Sequence, residues 1–118
     1  RGIDLVVTSV VPNPDQSADL PLVKEYKSVM KEFLKGRIDS PFYFESYLML
    51  SLLVEALKRG KGKPTSYNIM CELEGFKDFN FKGFTINFVP EERVLSHNIW
   101  INAGIGKNWI KVSQHAHE

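Results

Sequence analysis

The chain has a single cysteine, Cys71, in 118 residues, so no disulfide can form within it and cysteine usage leaves the redox compartment open. Surplus charge is also missing. Fifteen Lys and Arg face 14 Asp and Glu, for a formal net charge of +1, and the lysines alternate with glutamates instead of gathering on one face, which argues against a nucleic-acid partner. The densest basic stretch, "KRGKGKP" at 58–64, carries glycines and a proline and reads as a solvated loop after a helix. Long apolar runs are lacking too: the longest, 47–54, falls far short of the ~20 residues that cross a bilayer. The opening "RGIDLVV" has neither the apolar core nor the small-residue cleavage site of a secretory signal. Neither repeats nor low-complexity tracts are visible. What is present is 43% hydrophobic and 25% charged residues, the composition of one globular domain.

"IDLVVTSVVP" is rich in β-branched residues and stops at proline, the pattern of a strand buried on both faces in a parallel sheet. The Pro- and Asp-rich "PNPDQSADLP" after it suits neither helix nor central strand and reads as a connector. Leu22, Val23, Tyr26, Met30, Phe33 and Leu34 recur at helical spacing, predicting a surface helix over 22–35 with Pro21 in its first turn and Gly36 at its C′ position. A second helix, 43–59, is apolar all round and should therefore be buried. A third runs over about 65–73, capped by Thr65 or Ser66 and ending at Gly75. Alternation then predicts strands near 83–89, 97–103 and 108–113, with turns at "PEER" and "GIGKN". A doubly buried strand and a buried helix both need cover on two sides, and few strands remain to supply it. A piece of a larger α/β protein is implied, or a self-associating fragment of one.

That layout resembles the carboxy-terminal third of a type I periplasmic solute-binding protein of the leucine/isoleucine/valine-binding kind, which delivers ligands to ABC transporters. The words carrying the resemblance are "GIDLVVTSVVPNPDQSADLPLVKEYKSVMKEF", "FESYLMLSLLVEALKRGKGKP" and "GFTINFVPEERVLSHNIWINAGIGKNWI", in that order over residues 2–112. Ser46 stands where the family commonly has glycine before the tyrosine. The resemblance implies an α/β fold with an open, mostly parallel sheet and helices, part of a two-lobed architecture that closes on its ligand. Residues 1–118 form a single fragment in this reading. Within it, 2–12 are a second-lobe strand and 13–21 a crossing. Residues 22–95 hold first-lobe helices and strand, 96–113 the return crossing and second-lobe strand, and 114–118 a tail. Expected partners are an amino acid (branched-chain-like) or a small organic acid and the membrane permease of an ABC transporter, in the periplasm or outside the cell, with or without a lipid anchor. The alternative is a ligand-sensing or interaction domain of a signalling receptor.

The resemblance places residues just ahead of the second helix near the ligand, which makes Phe42, Tyr43 and Phe44 the candidate contacts. Rigid aromatics give large contact area at small entropic cost, although Tyr43 also fits the core stripe with Tyr47. Glu45 is a candidate partner for a ligand ammonium, but its position near the helix start is favoured by the helix dipole alone. Cys71 sits beside Ile69 and Leu73 on a helix and reads as a buried, inert thiol. "QHAHE" brings His115, His117 and Glu118 together at a chain end, where a tail is the simpler reading than a metal site. "GIGKN" has too few glycines and no following helix for a phosphate loop. No catalytic residue, cofactor or metal is expected.

Overall fold

The computed structural model describes residues 5–35, 40–104 and 108–112. Gly36, most of the "GIGKN" turn and the terminal His115, His117 and Glu118 lie outside them. The elements run β1 (Val7–Ser9), α1 (Pro21–Phe33), α2 (Pro41–Arg59), α3 (Ser66–Glu74), β2 (Phe79–Phe81), β3 (Phe84–Ile86), β4 (Ile99–Asn102) and β5 (Ile110–Val112). They make a three-stranded sheet ordered β1-β4-β5 and a separate β2-β3 hairpin. No helix among the described residues is long and apolar enough to cross a membrane.

One core joins α1, α2 and the hairpin. On α2, Phe44, Leu48, Leu52 and Ala56 recur every fourth residue and are buried. Phe44 packs between Tyr26 and Phe84, with ring centroids 5.1 and 5.7 Å away at tilted angles. The fully buried members all lie between Val11 and Phe88, so the three-stranded sheet stands largely outside this core.

The hairpin turns at Lys82 and Gly83, both with positive φ (51° and 94°), the geometry of a type I′ turn whose twist matches the flanking strands. Its tip rests on the start of α1. Leu20 gives that helix no side-chain cap, and the Lys82 carbonyl accepts the Leu22 N–H instead (3.2 Å), taking up one of the free amides of the first turn.

Several expectations need correction. The parallel partners expected for the first strand are not found: β1 pairs with β4, and β4 with β5, antiparallel. The end of β1, Ser9, pairs with Trp100 near the start of β4, so the chain re-enters the sheet at the end it left and runs back along β1. β1 is not covered on both faces either, since Leu5, Val6, Val7 and Val10 are exposed. Helix α2 buries one stripe only, leaving Met49, Leu50, Leu53, Val54 and Leu57 exposed, because the described elements cover a single side of it. Cys71 is exposed, not buried; α3 has no buried residue at all.

Candidate functional site

The first turn of α2 decides which aromatics face outward. Ser40 is its N-cap, accepting the Tyr43 N–H through Oγ at 3.5 Å, and Pro41 follows at the first helical position. Successive side chains then step round the helix, so Phe42 is 76% exposed, Tyr43 41% and Phe44 0%. Phe44 is therefore withdrawn as a ligand contact: it is a core residue. Glu45 lies three residues after Phe42 on the same face. It is the fifth helical residue, beyond the first turn, and no acidic side chain lies within that turn, so the dipole account of Glu45 does not hold.

Phe42 and Glu45 form one wall of a cavity of about 350 Å³, together with Pro41. The facing wall is β1 and its end, residues 7–10, with Ile99 of β4 and Trp109 just before β5. The lining is apolar apart from Thr8, Ser9 and Glu45, and Glu45 is its one ionisable group among the described residues. Tyr43 does not line it. A ligand suited to this wall presents an apolar body to Phe42, Val10 and Trp109, and a cationic or hydrogen-bonding group to Glu45.

Trp109 and Ile99 were not among the sequence candidates. The signal for Trp109 was a tryptophan at the head of a final strand; what holds it was not visible. Gln16, in the first connector, donates from Nε2 to Asn108 Oδ1 (2.8 Å) and accepts the Trp109 N–H at Oε1 (2.9 Å). Residues far apart in sequence thus fix where Trp109 stands.

A second polar cluster lies away from this cavity. Glu25 of α1 accepts from the Tyr47 hydroxyl of α2 at 2.9 Å and pairs with Lys82 at the hairpin tip. The hydrogen bond from Lys82 holds the Glu25 carboxyl below the usual range, against a smaller opposing effect of desolvation. Partial burial, then the Glu25 contact, pushes the Tyr47 phenol up. The cluster ties α1, α2 and the hairpin together. Among the described residues no three metal-ligating side chains come together, and His97 is engaged with Glu92 at 2.6 Å.

Comparison with protein-family models and with curated proteins finds no match. Solved structures do match. The chain is similar to a substrate-binding periplasmic protein from Ralstonia solanacearum, with 25% identity and a TM-score of 0.71 over 91% of this chain and 31% of that one. It is similar to a possible leucine/isoleucine/valine-binding protein from Rhodopirellula baltica, with 27% identity and a TM-score of 0.76 over 92% and 29%. A third match is an extracellular ligand-binding receptor from Verminephrobacter eiseniae, with 25% identity and a TM-score of 0.68 over 83% and 28%. The chain therefore spans under a third of the length of the structures it matches.

Proposed function

We propose that this chain, which has the α/β fold of type I periplasmic solute-binding proteins, supplies one wall of the ligand cleft in an extracytoplasmic solute receptor. The two walls of the 350 Å³ cavity belong to different lobes in this reading: β1, β4 and β5 to the second, and α1, α2, α3 and the β2-β3 hairpin to the first. The crossings at 13–21 and from 96 into β4 run between them, and ligand closes the lobes by its greater affinity for the closed form. The receptor is non-catalytic and serves uptake of an aliphatic amino acid, or a similar small organic acid, through an ABC-type permease. It works in the periplasm or at the cell exterior, free or lipid-anchored.

The observation that carries this is the exposed Phe42, set across an apolar cavity from β1 with the lone carboxylate Glu45 beside it. One aromatic and one carboxylate suit the side chain and ammonium of an aliphatic amino acid. They leave its carboxylate to be held by other parts of the receptor. The exposed apolar stripe of α2, Leu50 and Val54 included, is covered by the remainder of the first lobe in the receptor, and by a second copy when this chain stands alone. Calorimetry with leucine, isoleucine and valine tests the reading. The receptor carrying this segment should bind one of them at micromolar concentration, and the isolated chain at millimolar at best. Micromolar binding by a monomer of this chain would overturn it.

A further inference from the structure

The three-stranded sheet borders a second cavity besides the cleft. Along β4, Ile99 lines the cleft just described and the next residue, Trp100, lines a larger cavity of about 640 Å³. This second cavity takes its walls from both connectors. Ser17 and Leu20 come from the first, Ser96 and Asn98 from the second, and Lys111 from β5. Its volume falls within the range of small-molecule sites.

The lining combines a single ammonium and a single carboxylate with neutral polar side chains and His97, whose ring is engaged with Glu92. Lys111 reaches over the Trp100 ring, its ammonium 5.7 Å from the centroid, and among the described residues it pairs with no carboxylate. Asn87, Thr85 and Ser17 add neutral donors, the Asn98 amide donates to Ser96 Oγ (2.7 Å), and Asp78 is the one carboxylate in the wall. Lys111 is exposed, and an ammonium with no paired carboxylate at the mouth of a cavity favours an anion beside it, with amide and hydroxyl donors to complete the anion's shell.

We propose that this cavity is a second ligand site, distinct from the cleft, for a small oxyanion: a carboxylate or a phosphate. Lys111 supplies the charge, the side chains of the two connectors supply the hydrogen bonds, and Trp100 forms an apolar floor. Because both connectors contribute, a bound anion fixes their separation.

The test is a two-dimensional NMR titration of this chain with inorganic phosphate in one arm and acetate in the other, at ionic strength held constant with chloride. Saturable shifts at Ser17, Ser96, Asn98 and Lys111 in either arm are the expected result, and the arm that responds tells a tetrahedral anion from a planar one. Lys111→Met should weaken binding about tenfold or more, as for loss of one charge-assisted hydrogen bond, while Lys63→Met, in the loop after α2, leaves it unchanged. Asn87→Ala gives a second reading should Lys111→Met disturb β5, and it too should weaken binding. The proposal is overturned by the absence of saturable shifts in both arms, by shifts spread over the surface lysines, or by binding that survives both cavity variants.

Discussion

Phe42 and Phe44 stand two residues apart on the same helix and have opposite roles in this account, which their truncations should separate. Phe44 is 0% exposed and packs on Tyr26 and Phe84. Removing such a ring costs about 3–5 kcal/mol through lost transfer energy and the cavity left behind, with two aromatic pairs lost in addition. Phe44→Ala should therefore lose about 4 kcal/mol, a large part of the stability of a small domain. Phe42 is 76% exposed, so only about a quarter of a side chain worth roughly 1.5–3 kcal/mol on full burial is at stake, well under 1 kcal/mol. Urea unfolding followed by circular dichroism reads both. With a slope of about 1–3 kcal/mol per molar, Phe44→Ala should lower the midpoint by roughly 2 M and Phe42→Ala should barely move it. Running each at two protein concentrations keeps self-association out of the comparison. Equal losses in the two variants, or a loss below about 1 kcal/mol for Phe44→Ala, would refute the division of the aromatic cluster into core and cleft.

Three further outcomes are expected. Gly83→Ala should destabilise the chain by about 1–2 kcal/mol in the same assay, because the residue has a φ of +94° and a new Cβ would come within 3.1 Å of Leu20 and 3.2 Å of Pro21; a neutral result would contradict the type I′ hairpin tip. Glu25 has a folded pKa below its ordinary value, so its contribution is present above the unfolded carboxylate pKa and is lost as pH falls through the lower folded one. The gap in urea midpoint between wild type and Glu25→Gln should thus persist at neutral pH and close in strong acid; it should be small, since both partners are largely solvated. Leu50→Glu and Val54→Glu should reduce the apparent mass of the isolated chain in light scattering, because they place charge on the exposed stripe of α2; an unchanged mass would remove that stripe from the self-association interface.

Much of the fold was legible because local rules and tertiary packing agree. The spacing of Leu22, Val23 and Tyr26 named the buried face of α1, and Thr65 was readable as the α3 cap, accepting the Asn68 N–H. Ser40 and Pro41 carried the start of α2 just as clearly, but the aromatic cluster after them drew the boundary to 43. The turn at Lys82 and Gly83 is not legible in the sequence because Lys seldom leads a type I′ turn, which favours Asn or Asp before glycine. Burial was the least legible property. An all-round apolar helix states that partners are needed, not that this chain provides them, and Met49, Leu50 and Val54 show the difference. Of the residues lining the cavity, Phe42 and Glu45 are candidates through the resemblance alone, while Trp109 depends on the long-range contact with Gln16, which no local pattern encodes.

The measurement that bears most directly on the proposed function is the affinity of the full-length protein carrying this segment for leucine, isoleucine and valine, by calorimetry, with and without Phe42→Ala. If Phe42 packs on the ligand in the cleft, the substitution weakens binding by roughly tenfold or more, the loss of an aromatic contact, with the fold intact. An unchanged affinity would contradict the account and move the ligand away from this wall.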